Sequence, residues 1–419
     1  MEKDIKKPQI RFQGFTEEWE QHKLGDYCEM YNGDRSSKYP NASDMVDDGI
    51  PFINAGDLEN GSVNLKTANN ITREKYNQLC GAKLQIGDIV YCLRGTLGKN
   101  AFIDNFEEGT IASSLVAIRP KNIDGRYLYY ILNSDIEYRQ RIVHDEGAAQ
   151  PNLSAKSVSE FEIPILSIGE QKKISEYFTK FDHLISFHQR KYDSLVKVKK
   201  SMLEKMFPRS GDKKPEIRFV GFTDDWEQRK LSELATIHAR IGWQNLRTSE
   251  FLDNGDYMLI TGTDFKDGAI NYSTCHYVEK ERYDQDKHIQ INNGSILITK
   301  DGTLGKVAYV QGLTMPATLN AGIFNVQIRN ENEVDGKYLF QYLKAPYLMN
   351  YVSQKATGGT IKHLNQNILL DFPIVLPNKF EQVKIGTFFE KLDNLISLHQ
   401  CKLNLLKNMK KAMLEKMFV

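Results

Sequence analysis

The peptide Gly-Thr-Leu-Gly-Lys occurs twice, at residues 95–99 and 302–306, and it resembles a loop that binds phosphate groups. A nucleotide-binding loop of the Walker A type needs another glycine five positions before the second one, and Ser or Thr after the lysine. Leu93 and Lys300 stand at the first of these positions, and neither lysine is followed by Ser or Thr. The two segments therefore predict glycine-rich turns between strands, with contacts to DNA backbone phosphates as the alternative.

Other catalytic signatures are missing from the sequence. It contains no GxGxxG, HExxH or GxSxG motif, and no Pro-Pro pair of the kind found in an amino-methyltransferase loop. His183 and His188 are five residues apart on one predicted helix, so they do not share a metal-binding face. The five cysteines are widely spaced without a CxxC pair, which indicates neither a disulfide framework nor a zinc ribbon. We therefore predict a chain that has no catalytic residues and binds no metal or cofactor itself.

Length and composition limit the class of protein. The 419 residues predict two or three domains, and 55 Lys and Arg against 54 Asp and Glu give a net charge of +1. The first residues lack the apolar stretch of a secretion signal, and no run of about 18 apolar residues occurs. We therefore expect a soluble, cytoplasmic protein without a membrane partner.

Internal repetition is the strongest feature of the chain. Residues 8–24 return at 215–231 with 12 of 17 positions identical, and residues 170–208 return at 381–419 with 22 of 39 identical. Unrelated segments of ordinary composition would share roughly two or three positions in the longer block. The chain is therefore predicted to be a tandem duplication of a unit of about 200 residues.

Between the matched ends, each copy alternates short apolar runs with turn residues. The first copy contains IPFINAG, DIVYCLRG and SSLVAIR, and the second contains YMLITG, SILITKDG and IFNVQIR, all of which predict strands. Helices are expected at about 125–143 and 336–355. The fold class is therefore predicted to be α+β, with a mixed α/β globule of about 160 residues in each copy followed by a long helix.

The repeated 39-residue block has apolar residues at alternating spacings of four and three. This heptad pattern predicts two long helices that pack as a coiled coil. Ser167 and Asn378, each three residues before a glutamate, predict capping boxes at the two helix starts. The predicted seam consists of Ile174, Phe178, Phe181, Ile185, His188, Tyr192, Leu195, Lys199, Met202 and Met206, and of Ile385, Phe389, Leu392, Ile396, His399, Leu403, Leu406, Lys410, Met413 and Met417.

The order of elements is globule, helix, globule, helix. This order favours an antiparallel pair between the two long helices. The chain would then have intramolecular pseudo-twofold symmetry, which matches the pseudo-dyad of a DNA duplex. Four polar seam residues could fix the register of the pair. Alternatively, the lysines extend to its solvated edge and the histidines bind a backbone group or water. These residues are His188 and His399, and Lys199 and Lys410.

Charge is distributed unevenly along the chain. Residues 8–169 carry 16 basic against 23 acidic side chains, whereas residues 170–208 carry nine basic against five acidic ones. Acidic globules are unfavourable for a protein that binds DNA alone, because DNA affinity depends on neutralising phosphates. Either basic residues cluster on one face, or a partner supplies the remaining contacts.

The order of elements resembles the specificity subunit of Type I restriction-modification systems. The resemblance rests on the PxIRFxGFxxxWE segment that begins each copy, on GAAQPNLS before FEIPIL, and on helices that run from EQxxI to MLEKMF. It implies two target recognition domains, at 1–169 and 215–380, conserved helices at 170–208 and 381–419, and a linker at 209–214. It also implies double-stranded DNA, two modification subunits and restriction subunits as partners. S-adenosylmethionine would belong to the modification subunits, and ATP with Mg²⁺ to the restriction subunits.

Polar residues of the predicted loops are candidates for DNA contacts. The second copy has TGGTIKHLN where the first has EGAAQPNLS. It therefore lacks counterparts of Gln150 and Asn152, which puts a common role for these positions in both copies in doubt. A second interpretation is a two-headed coiled-coil adaptor that binds proteins or glycans. The candidates are Arg94, Thr96, Lys99, Gln150 and Asn152 in the first copy, and Lys300, Thr303, Lys306, Lys362 and His363 in the second.

Overall fold

The computed structural model describes residues 8–145, 152–209, 211–241, 245–355 and 363–418. The chain forms two compact units, one of residues 1–189 with 401–419 and the other of residues 190–400. Each unit contains the globular head of one copy together with parts of both long helices.

The first head contains two four-stranded sheets and two shorter strand pairs. Its strands are β1 (Glu20–Lys23), β2 (Cys28–Asn32), β3 (Met45–Val46), β4 (Ile50–Ile53), β5 (Leu58–Glu59), β6 (Ser62–Val63), β7 (Asn69–Ile71), β8 (Ile89–Cys92), β9 (Asn100–Phe102), β10 (Thr110–Ile111), β11 (Leu115–Pro120) and β12 (Glu162–Ile165). Its helices are α1 (Arg73–Gln78), α2 (Gly125–Ile131), α3 (Asp135–Val143) and α4 (Ala155–Ser159), followed by the long helix α5 (Ile168–Lys205).

One sheet of the first head is antiparallel, with the order β2-β11-β8-β9. The other has the order β10-β4-β7-β3, and its β10–β4 pair is parallel. Strand β1 pairs with β12, which directly precedes α5, so the start of the head is joined to the start of the helix.

The second head repeats this plan. Its strands are β13 (Glu227–Lys230), β14 (Ala235–Ala239), β15 (Tyr257–Ile260), β16 (Phe265–Lys266), β17 (Ala269–Ile270), β18 (His276–Val278), β19 (Gln290–Ile291), β20 (Ile296–Thr299), β21 (Val307–Tyr309), β22 (Ala317–Leu319), β23 (Ile323–Ile328) and β24 (Pro373–Leu376). Its helices are α6 (Leu231–Leu234), α7 (Lys280–Asp284), α8 (Gly336–Lys344), α9 (Pro346–Lys355) and α10 (Gln366–Leu370), before the long helix α11 (Lys379–Met417).

The antiparallel sheet β14-β23-β20-β21 corresponds to the first sheet of the other head. The second sheet, β18-β15-β22-β19, keeps the parallel pair but has a different edge strand, because β19 adds beside β22. The six strand runs predicted from the sequence are all present.

The helices predicted near 125–143 and 336–355 are present, but each is divided into two. Helix α2 ends at Ile131, and Ser134 caps the start of α3, because its side chain accepts a hydrogen bond from the Ile136 amide. In the second head, Pro346 takes the first position of α9, where its missing N–H removes no helical bond. Local capping chemistry therefore divides both predicted helices at the same place.

The two long helices begin where the sequence predicts. The Glu170 amide donates to the Ser167 hydroxyl at 3.4 Å, and the Glu381 amide donates to the Asn378 side chain at 3.0 Å. The return half of each predicted capping box is wrong, since both glutamate side chains bind arginines instead.

Within each unit, the start of one long helix packs against the end of the other in antiparallel fashion. In the first unit the Phe178 and Phe418 rings stack with centroids 6.0 Å apart. In the second unit Phe207 and Phe389 stack at 5.9 Å. Each stack joins the core beneath the antiparallel sheet of its head, so the helix ends are part of the folded head. Among the described residues, no helix combines the length and apolar character needed to cross a membrane.

Candidate nucleic-acid interface

The first Gly-Thr-Leu-Gly-Lys segment is the turn that connects β8 to β9. Gly95 and Gly98 have φ angles of 80° and 78°, a region that favours glycine. A Cβ atom on Gly98 would also lie 2.7 Å from the Glu137 carboxylate, so a larger side chain would force that carboxylate to shift. The prediction of a glycine-rich turn between strands is confirmed, and Thr96 at its tip is exposed.

The second copy forms the same turn between β20 and β21. Gly302 and Gly305 have φ angles of 71° and 69°, and a Cβ atom on Gly305 would collide with the Met349 side chain. Thr303 and Lys306 are exposed. The two heads therefore present an exposed threonine on a glycine-rich turn at equivalent positions.

Arg94 and Asn152, two of the predicted site residues, lie side by side next to the first turn. They form an antiparallel β-bridge, and the Arg94 Nε donates to the Asn152 Oδ1 at 2.9 Å. Arg94 is exposed and Asn152 is half-buried. The fold thus joins candidates that are 58 positions apart in the sequence.

The corresponding place in the second head has different chemistry. His363 contacts Asp301 through Nδ1, at 2.5 Å from Oδ1. Both line a cavity of about 450 Å³ together with Lys300, whose ammonium lies 5.7 Å from the Phe324 ring centroid. Arg240 also lines this cavity; it is 2% exposed and donates to the Leu319 carbonyl at 2.9 Å.

The remaining predicted DNA contacts differ in their placement. The Lys99 ammonium donates to the Ala55 carbonyl at 2.9 Å, so it holds part of its own head together. Its counterpart Lys306 is exposed. Gln150 and Lys362 lie outside the described residues.

A helix clamp, defined as the Arg11–Glu170 pair and its repeat Arg218–Glu381, positions each head. The Arg11 guanidinium donates to both Glu170 oxygens at 2.7 and 2.9 Å, and the Arg218 pair has both distances at 2.8 Å. Glu170 and Glu381 are 1% and 0% exposed, and each pairing raises the pKa of its arginine.

The lead-in segments, residues 8–24 and 215–231, contain these arginines and also bind the end of the other copy's helix. The Ile10 amide donates to the Lys416 carbonyl at 3.1 Å, and the Ile217 amide donates to the Lys205 carbonyl at 2.9 Å. These carbonyls belong to the last turns of the long helices, which lack partners within the helix. Each lead-in segment therefore connects the start of its own helix with the end of the other.

The structure places the predicted seam residues on the buried or half-buried side of the long helices. The seam lysine of each unit forms an ion pair with the opposite helix. Lys199 pairs with Asp393 and Lys410 pairs with Asp182, both at 2.5 Å. Burial and the neighbouring Lys344 lower the pKa of Lys199 to about 8. The seam lysines thus bind a specific acidic partner.

Sequence reasoning missed several residues of these arrangements. Asp182 and Asp393 occur at equivalent positions of the repeated block, and Arg11 and Arg218 recur in the lead-in segment. Their repetition was the available signal. Asp301 gave none, because Arg94 stands at the equivalent position of the first copy.

Both units have exposed apolar side chains on the long helices, and this set of side chains is called the helix stripe. The members at equivalent positions of the repeat include Leu184 with Leu395 and Phe187 with Leu398, each 43–47% exposed. The stripe of the first unit is Leu184, Phe187, Leu405 and Met409, and that of the second is Val196, Val198, Leu395 and Leu398.

Comparisons with known proteins agree with this architecture. The family model described as the Type I restriction modification DNA specificity domain matches residues 16–197 and again residues 223–408. The chain belongs to the family of Type I restriction-modification specificity subunits. Membership gives it a DNA-specificity role without a catalytic role of its own, and each of the two family matches contains one head and most of the long helix that follows it.

Two relatives come from Methanocaldococcus jannaschii. The Type I restriction enzyme MjaVIII specificity subunit is 24% identical over 91% of this chain and 88% of its own length. A putative type I restriction enzyme MjaX specificity subunit is 23% identical over 95% and 91%. The crystal structure of a Type I restriction-modification S subunit from M. genitalium has a TM-score of 0.68 at 16% identity, covering 99% of each chain, and supports the same fold.

Proposed function

We propose that each head reads one half of a bipartite, asymmetric target in double-stranded DNA. The observation that carries the proposal is a common backbone frame with head-specific side chains, Arg94 and Asn152 in one and Asp301 and His363 in the other. Such a pair of heads suits two different half-sites, because phosphate contacts position a protein while base contacts specify the sequence. The first head is residues 1–169 and the second is residues 215–380.

The helix pair of residues 170–208 and 381–419, with the linker 209–214, sets the spacer between the half-sites. Support comes from two contacts in each head: Arg11 or Arg218 binds the start of the head's own helix, and the Ile10 or Ile217 amide binds the end of the other helix. A head attached to both helices has little freedom to change its position on them.

The helix stripe docks two modification subunits, one on each repeat. Its members are exposed and apolar, and three of the four in each unit stand at equivalent positions of the repeat, as two identical partners would require. These partners also supply phosphate contacts, which compensates for the acidic composition of the heads.

Catalysis belongs to the partners in this proposal. The modification subunits bind S-adenosylmethionine and methylate an adenine in each half-site, which requires flipping the base from the duplex. Restriction subunits use ATP and Mg²⁺ to translocate and cleave DNA. The complex acts in the cytoplasm, where the chromosomal target lies.

The test is to co-express the chain with its genomically adjacent modification subunit and to map methylated adenines by single-molecule sequencing. We expect a new bipartite motif methylated on both strands. An assembled complex that adds no methylation would contradict the proposal.

Exchange of residues 25–165 for those of another family member separates the roles of the two heads. One half of the motif is expected to change while the other half and the spacer stay the same. Insertion of seven residues into only one long helix should instead alter the spacer and leave both halves unchanged. A spacer of unchanged length would contradict the role of the helices.

A further inference from the structure

We infer that positions 94 and 152 of the first head, and positions 301 and 363 of the second, form one equivalent reading pair that selects a base in each half-site. This inference rests on the proposed function and assigns it to particular side chains. The two reading pairs are Arg94 with Asn152 and Asp301 with His363.

The backbone around both reading pairs is the same. In the first head the Leu93 amide donates to the Ser114 carbonyl at 2.9 Å, and the Leu153 amide donates to the Leu93 carbonyl at 3.0 Å. In the second head the Lys300 amide donates to the Gly322 carbonyl at 2.8 Å, and the Leu364 amide donates to the Lys300 carbonyl at 2.9 Å. Each reading pair therefore projects from the same two backbone segments, next to the same glycine-rich turn.

Residues near the turn divide into those that the heads share and those that differ. Thr96 and Thr303 are identical and exposed, which suits contacts to a DNA backbone that is the same in both half-sites. Arg94 is replaced by Asp301, which reverses the charge at one position. Differing side chains on a common frame are suited to the part of the target that differs.

The Arg94 pair has the chemistry to read guanine. Its Nε is held by the Asn152 Oδ1, which orients the guanidinium and leaves the two terminal nitrogens at the exposed edge. Two parallel donors match the O6 and N7 acceptors of guanine in the major groove. Asn152 is a positioning residue here, because it orients Arg94.

The Asp301 pair has the opposite polarity. The Asp301 carboxylate accepts from Nδ1 of His363, and in the neutral form of the imidazole this leaves Nε2 as the acceptor. The His363 side chain is 77% exposed, and the Nε2 acceptor matches the exocyclic amine of adenine or cytosine. Arg240 and Lys300 line the cavity beside the pair and add positive charge near the duplex.

The experiment uses the complex with its modification subunit and begins from the methylated motif. Binding is measured by competition with duplexes that carry each of the four bases at every position of both half-sites. In Arg94→Gln, discrimination for guanine at one position of the first half-site should decrease about tenfold, with the second half-site unchanged. In His363→Gln and Asp301→Asn, the change should fall at one position of the second half-site.

Matched controls are Lys66→Gln and Lys287→Gln, which neutralise exposed lysines elsewhere in the first and second heads. They should leave every preference unchanged. The double variant Arg94→Asp with Asn152→His transfers the second pair to the first head, and should move its preference toward adenine or cytosine at the same position.

The outcomes distinguish failure of the proposed function from failure of the reading pairs. If the unmodified complex methylates no bipartite motif, the proposed function fails. If it does methylate one, but Arg94→Gln and His363→Gln retain the original preference at every position, the reading pairs are overturned while the proposed function stands. Equal loss at all positions also overturns them, since it indicates a phosphate contact or a structural role.

Discussion

Arg11 and Glu170 are 159 positions apart, and the two oxygens of the buried carboxylate each accept a hydrogen bond from the guanidinium, at 2.7 and 2.9 Å. The ring of Trp19 lies beneath the same guanidinium at 5.8 Å. Arg218, Glu381 and Trp226 repeat this arrangement in the other unit. The residues most similar between the two copies are thus the ones that join a head to its helices.

Removal of one arginine should destabilise one unit. In Arg11→Met, Glu170 would remain buried without its partner, and breaking a buried ion pair in this way costs about 3–5 kcal/mol. Glu170→Gln leaves the more accessible arginine and should cost less, and the double variant should cost less than the sum. Urea unfolding of the three variants measures these free energies. Equal, additive effects would show that the pair is not coupled.

The first head contains a buried polar network that the second head replaces with apolar residues. The Tyr91 hydroxyl and the Arg141 guanidinium both donate to the Glu137 carboxylate, at 2.5 and 2.9 Å, and burial raises the pKa of Glu137. At the equivalent positions the second head has apolar residues throughout. These are Ile298, Leu348 and Val352.

Transfer of those residues tests whether the network is needed for stability. Glu137→Leu alone should destabilise the first unit by about 3 kcal/mol, because Arg141 and Tyr91 lose their partner in the interior. Adding Tyr91→Ile and Arg141→Val should recover most of that loss, since a packed apolar cluster already occupies this place in the other head. Chemical denaturation provides the measurement. A triple variant less stable than the single one would contradict the prediction.

The lowered pKa of Lys199 predicts that its contribution to the free energy of unfolding increases with pH. Its pKa of about 8 in the fold lies below the value near 10.5 expected for the unfolded chain. Between these values the unfolded chain keeps a proton that the folded chain has lost, so stability rises with pH by up to about 1.4 kcal/mol for each unit.

The comparison that isolates this effect is the difference between the unmodified chain and Lys199→Met. Urea unfolding at pH 7.5, 8.5 and 9.5 should show the Lys199 contribution rising over this window, because the other titrating groups are common to both proteins. A difference that is constant with pH would show that Lys199 stays protonated in the fold.

If the helix stripe of each unit binds one modification subunit, a substitution in one stripe should weaken the binding of one subunit only. Phe187→Asp should weaken binding at one stripe, and Leu398→Asp at the other, each by at least about tenfold, because a buried carboxylate without a partner is costly. Native mass spectrometry of the co-purified complex should show one bound partner for each single variant and none for the double variant. Lys66→Gln, which changes the charge by the same amount at an exposed position away from the long helices, is the charge control and should leave both partners bound. Full occupancy in both single variants would place the docking surface elsewhere.

Repetition and periodicity in the sequence were sufficient to predict the duplication, the strand runs and the two long helices. The predicted helix near 125–143 was nevertheless divided, because Ser134 provides a local cap that a periodicity average does not register. Likewise, the capping-box pattern before Glu170 indicated the helix start but not the true partner of its carboxylate. Local signals predict elements well, whereas the partner of a side chain depends on distant segments.

What the sequence determined by itself is the plan of the molecule, because apolar spacing and the repeated blocks act over short stretches of chain. Only the tertiary structure decided which side chains meet. It brought Arg94 to Asn152 and Asp301 to His363, and it gave Lys199 an acidic partner from the other helix. The physical reason is that these contacts join segments 58 to 194 positions apart, and their geometry exists only after the sheets and helix ends of each unit have packed together.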